Sequence, residues 1–195
     1  DQLHLRLPSG GALLGEPVIV LALTLAVLPS QERTEPIRVV TTLELLRSIA
    51  EEVGGERVTA VALCDPRQDP HYVQPRPTLM AKARRADLFI EIGLQLELWA
   101  EKVASGSGNP RIQQGQPGRV VASRGIRTLE IPEVLSRTQG DVHPYGNPHV
   151  WLDPVNLGRI AENVARGLST VDPGSASHYA GRLADYQARI SDALY

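Results

Sequence analysis

Two stretches of the chain carry residue types that can do chemistry. Gln68-Asp-Pro-His-Tyr-Val-Gln-Pro-Arg-Pro77 presents His71, and Asp141-Val-His-Pro-Tyr-Gly-Asn-Pro-His-Val-Trp-Leu-Asp-Pro154 presents His143 and His149. An imidazole can ligate a metal ion, move a proton or simply pack in a loop, and one histidine alone does not decide between these. Repetition does. His71 and His149 each follow a proline, and the surrounding prolines fix φ and push the residue before each of them out of the helical region. Both histidines are therefore expected on stiff, non-helical loops that can aim a ring nitrogen.

The other side chains narrow the chemistry. Cys64 is the one cysteine, which excludes an internal disulfide and a thiolate cluster and fits a small buried apolar residue after a strand. With 20 Lys and Arg against 22 Asp and Glu, the net charge of −2 gives no basic excess for nucleic acid. The chain contains no G-x-G-x-x-G, no G-x-x-x-x-G-K-[ST] and no G-x-S-x-G, so nucleotide binding and serine hydrolysis lack their minimal motifs. Neutral imidazoles suit Zn²⁺ and other late first-row ions, and Mn²⁺ is the harder alternative if carboxylates join them.

The elements that must position these loops can be read from the pattern. Ile37 to Thr42 is rich in β-branched residues, and Leu43 to Val53 has apolar residues at helical spacing, ended by Gly54-Gly55. Val58 to Leu63 reads as a second strand, followed by the His71 loop and a helix from Thr78 to Arg85. Asp87 to Ile92 is a nearly continuous apolar strand, as when both faces are covered. A helix over Gln95 to Ala104, a turn-rich stretch to Gly118 and a strand over Arg119 to Ser123 follow. Asp153-Pro154 is a cap and first helical position for the run Leu157, Ile160, Ala161, Val164, Ala165, Leu168. Strands alternating with helices predict an α/β fold, a parallel sheet flanked by helices, with His71 and His149 meeting at one end of it.

These motifs carry a resemblance. Asp69-Pro-His-Tyr-Val-Gln-Pro-Arg-Pro77 and Asn147-Pro-His-Val-Trp-Leu-Asp-Pro154, with Ala86-Asp-Leu-Phe-Ile-Glu-Ile-Gly93 and Leu98-Trp99 between them, resemble the zinc/manganese-binding substrate-binding proteins of bacterial ABC transporters. The likeness runs from about Ile37 to Tyr195 in the family's order. It implies that His71 and His149 are metal ligands of an N-terminal lobe, with a His or Glu and an acidic residue supplied by a C-terminal lobe that this sequence does not include. His143 is a candidate additional ligand or gate residue. Asp69 and Asp153 read as loop-ordering and capping carboxylates, either of which could orient an imidazole. Tyr72 and Trp151 read as packing walls, and His4 and His178 as solvated.

The resemblance also sets the organisation. Pro17 to Leu28 is an apolar run too short to span a bilayer as a helix but the length of a signal-peptide core, so residues 1–34 are expected to be a signal peptide and leader. Residues 35–171 then form the metal-binding lobe, and residues 172–195 begin the helix linking the two lobes. The expected role is extracytoplasmic capture of Zn²⁺ or Mn²⁺ as cargo by a monomer and delivery to an ABC transporter membrane permease. The alternative is a zinc-dependent hydrolase with a two-histidine site. Catalytic zinc usually has three protein ligands and a nearby base, and no Glu or Asp stands beside either Pro-His in zincin spacing.

Overall fold

The computed structural model describes residues 34–132 and 143–194. The apolar run expected to be an export signal, together with His4 and Asp141, lies outside them. Four strands form one parallel sheet in the order β2-β1-β3-β4. They are β1 (Ile37–Thr41), β2 (Val58–Ala62), β3 (Leu88–Glu91) and β4 (Arg119–Val121). β1 pairs in register with β2 from Ile37 opposite Val58, and with β3 from Val39 opposite Leu88.

This order explains where the helices lie. The connection through α1 (Glu44–Gly54) steps from β1 outward to β2. The connections through α2 (Pro77–Ala83) and α3 (Leu98–Gly106) step back in the opposite direction, to β3 and then β4. Right-handed crossovers then put α1 on one face and α2 and α3 on the other. Contacts agree: α4 (Pro154–Val171) and α5 (Ala176–Leu194) pack on α1 and on each other, while α2 packs on α3. Covered on both sides, Leu88, Phe89 and Ile90 are fully buried. Edge strand β2 instead alternates between covered and exposed residues, so only its inward side chains gain from burial.

Local chemistry sets the boundaries. α1 stops where Gly55 takes φ 56°, and a Cβ at Gly54 would stand 2.2 Å from Val58 Cγ2, so the return to β2 needs both glycines. Asp153 accepts from the Val155 N–H at 2.9 Å and Pro154 follows, which starts α4 as expected.

Two expectations need correction. The helix expected from Gln95 begins at Leu98, because Leu94 and Gln95 are in the left-handed region and Glu97 turns back to accept from the Ile92 and Gly93 N–H groups. Before α5, the Asp172 carboxylate accepts from the buried Tyr179 hydroxyl at 2.7 Å and pairs with Arg57. His178 is not simply solvated, since its Nε2 lies 3.0 Å from the Gly54 carbonyl and joins α5 to the end of α1.

Candidate metal centre

The His71 loop leaves the carboxyl end of β2, the edge at which open α/β sheets take their ligands, and the His149 loop meets it there. The first begins where the Leu63 and Cys64 N–H groups donate to Thr41 and Thr42 at the end of β1. It then forms a single 3₁₀ turn at Pro70–Tyr72. The Asp69 carboxylate orders that turn twice. Its Oδ1 accepts from the His71 backbone N–H at 2.9 Å and lies 2.7 Å from His71 Nδ1. These hydrogen bonds, the backbone one foremost, hold the Asp69 carboxyl below the usual carboxylate range.

The second loop repeats the device with an amide. Asn147 Oδ1 accepts from the His149 backbone N–H at 3.0 Å and lies 2.8 Å from His149 Nδ1. Asn147 is fixed in turn, donating its backbone N–H to the Leu129 carbonyl at 2.7 Å and its Nδ2 to Glu130 Oε2 at 2.8 Å. With Nδ1–H donated to an oxygen in each case, the lone pair of each ring lies on Nε2. This is the usual way a supporting group selects the tautomer and orientation of a ligating histidine. Burial holds the His149 imidazole below its ordinary pKa, so it stays neutral to lower pH than a solvated one.

The two rings come together, with centroids 5.3 Å apart and planes tilted by 50°. His143 joins them from the second loop. Its Nε2 is 3.2 Å from His71 Nε2, and their ring centroids are 5.1 Å apart. As placed, no group of three or more His, Cys, Asp or Glu side chains among the described residues is arranged to hold one ion.

The surrounding aromatics divide. Trp151 is partly buried against the core, with its ring 5.2 Å from that of His149. Tyr72 lies beside His71, with ring centroids 6.0 Å apart and planes tilted by 42°. It is 60% exposed, because the 3₁₀ turn that carries His71 inward points the next side chain out. A cavity of about 550 Å³ opens beside His149, Asn147 and Asp153 without reaching His71.

Three contributors escaped the sequence reading. Asn147 sits two residues before His149, as Asp69 does before His71, so the shared [DN]-P-H spacing was the available signal. Trp99, which helical spacing marks only as a packing residue, donates its indole N–H to the Pro70 carbonyl at 2.7 Å. Glu97 is buried and accepts from the Thr42 hydroxyl at 2.6 Å as well as from the Ile92 and Gly93 amides, which fixes the turn leading into α3. No local pattern announced either of these last two.

An open parallel sheet that presents oriented imidazoles at its carboxyl edge is the architecture of an α/β ligand-binding lobe. The chain belongs to the family described as zinc-uptake complex component A, periplasmic (ZnuA), whose model matches residues 39–193. It is 30% identical over 159 residues to the iron-binding protein YfeA of Yersinia pestis, covering 82% of this chain and 47% of that protein. It is 26% identical over 166 residues to the manganese ABC transporter substrate-binding lipoprotein PsaA of Streptococcus pneumoniae, covering 83% of this chain and 50% of that one. Among solved structures, a zinc-bound ZnuA deletion mutant superposes with a TM-score of 0.68 at 26% identity, over 81% of this chain and 55% of the other. The chain thus spans about half the length of the curated relatives it matches.

Proposed function

We propose that this chain is the metal-binding lobe of an extracytoplasmic substrate-binding protein that captures a divalent transition metal ion, Zn²⁺ or Mn²⁺, and delivers it to the membrane permease of an ABC transporter. His71 and His149 bind the ion through Nε2. The observation that carries this reading is the pairing of two imidazoles 5.3 Å apart, each with its Nδ1 already engaged by an oxygen two residues upstream. Such support turns a loop histidine into a directed donor.

The organisation belongs to the same proposal. Residues 1–34 serve as signal and leader, residues 35–171 form the lobe, and residues 172–195 begin a helix toward a second lobe that supplies further ligands to a monomeric protein. Two nitrogens and water hold zinc far less tightly than a complete shell, so a second lobe would set both affinity and the choice between zinc and manganese. Membership of a metal-binding transport family leaves the hydrolase alternative without support.

The test is zinc affinity measured by competition with a chromophoric chelator. His71→Ala and His149→Ala should each lower it strongly while the circular dichroism spectrum stays that of a folded protein. Unchanged affinity in both variants, or zinc-dependent cleavage of peptide or ester substrates, would reject the capture reading.

A further inference from the structure

The two faces of the sheet treat their cations differently. On one, every arginine of α1, α4 and α5 is answered within the fold: Arg47 by Glu44 and Glu51, Arg159 by Glu162, Arg166 by Asn163, and Arg182 and Arg189 by the Glu52 carbonyl and carboxylate. On the other, Arg76, Lys82, Arg84, Arg85 and Lys102 are exposed, and none of these side chains has a hydrogen bond or ion pair among the described residues. The one acid within α2 and α3 is Glu101, 3.7 Å from Arg119.

These cations share one layer. A Cβ at Gly106 would stand 2.6 Å from Met80 Sδ, so α2 and α3 lie in close contact, and Lys102 is one turn before that contact. Helix polarity accounts for only part of the charge. It favours cations at the end of α2, where Lys82, Arg84 and Arg85 stand, but disfavours Arg76 at the amino end and does not call for Lys102 in mid-helix. Tyr72, 60% exposed, and Leu98, 68% exposed, border the layer at its carboxyl end. A specific protein interface pairs both signs of charge and seats an anchor in a pocket. A lipid surface requires only cations of one sign over a broad layer, with aromatic and aliphatic side chains at headgroup level.

Resting on the capture reading above, we propose that the α2–α3 layer docks on the anionic phospholipid surface of the membrane that holds the permease. The guanidinium groups of Arg76, Arg84 and Arg85 donate in pairs to headgroup phosphates, Lys82 and Lys102 act as point charges, and Tyr72 and Leu98 enter the headgroup region. The lobe then lies on its side, with the carboxyl edge and its two imidazoles facing along the membrane, and delivery becomes a search in two dimensions.

The experiment is co-sedimentation of the whole chain with vesicles of phosphatidylglycerol and phosphatidylcholine in equal parts, against vesicles of phosphatidylcholine alone. The apolar run Pro17 to Leu28 would enter either kind, so the difference between them reads the layer. The parent should bind the anionic vesicles at least about tenfold more strongly, and this preference should fall as salt is raised, since exposed charges are screened over about 8 Å at physiological ionic strength. Lys82→Glu, Arg84→Glu and Arg85→Glu together should abolish it, and Gln at the same three positions should weaken it. Arg159→Glu, Arg166→Glu and Arg189→Glu together, an equal change of charge on the paired face, should leave it within about twofold of the parent. Circular dichroism identifies the folded variants. No preference in the parent, parental preference in a folded α2 variant, or equal loss in both sets overturns the proposal. Binding to the solubilised permease through the same residues, without a vesicle preference, also overturns it and assigns the layer to a protein partner. Zinc affinity in His71→Ala and His149→Ala decides the capture reading whatever the vesicles show.

Discussion

The Trp99 indole donates to the Pro70 carbonyl at 2.7 Å, so the helix after β3 grips the residue directly before His71. Trp99 is 5% exposed and packs among core residues, whereas the His71 loop around it is largely exposed. A buried anchor therefore holds a surface loop, and the rigidity of the core passes to His71 through one hydrogen bond. A neutral bond of this kind contributes about 1 kcal/mol net, but its loss frees the loop that carries His71.

Trp99→Phe should accordingly lower zinc affinity several-fold, beyond a stability loss of about 1–3 kcal/mol from the smaller ring. Chelator competition and urea denaturation on the same sample separate the two effects. An unchanged affinity would show that Asp69 holds His71 without help from α3.

Glu97 gives the fold a pH dependence of its own. Burial pushes its carboxyl up to about 7, against three donors that favour the charged form. Because the folded-state pKa is raised above the unfolded value of 4.5, the folded protein binds the proton more tightly. This contribution is fully present below about 4.5 and is lost as pH rises to about 7, by on the order of 3 kcal/mol at most. His149, whose pKa is depressed, acts with the opposite sign as pH falls, so the two must be separated by difference. Stability measured against pH for the parent and for Glu97→Gln should show the variant without the Glu97 slope between about pH 4.5 and 7. Parallel curves would mean that the three donors keep Glu97 ionised throughout.

Gly146→Ala should disturb the site without touching a histidine. At φ 90° an L side chain is strained, and a Cβ would stand 2.5 Å from the Leu129 carbonyl oxygen, a backbone atom that cannot swing away. The turn must move, taking His143 and Asn147 with it. A cost of about 1–3 kcal/mol in stability is expected together with a fall in zinc affinity of about tenfold. Thermal unfolding and chelator competition measure the two, and parental affinity would show that the imidazoles do not depend on this turn.

Much of this protein is written locally. Prolines at 70, 148 and 154 dictate non-helical loops and a helix start through the fixed φ of a five-membered ring, and the apolar alternation over 37–92 dictates strands and helices through burial. For the same reason His71 and His149 stand out in the sequence, since type and spacing suffice to mark an aimed imidazole. Tertiary structure alone decided what those rings meet. The reversal of strand order around β1 brings chain segments far apart in sequence to one edge, so that His143 reaches His71 and Trp99 reaches Pro70. It also decided where α3 begins, because the Glu97 carboxylate bonds to Thr42 on a different element and this outweighs the helical spacing that starts at Gln95. Contacts between distant segments leave no trace in local periodicity, which records which side of an element is buried and not what covers it.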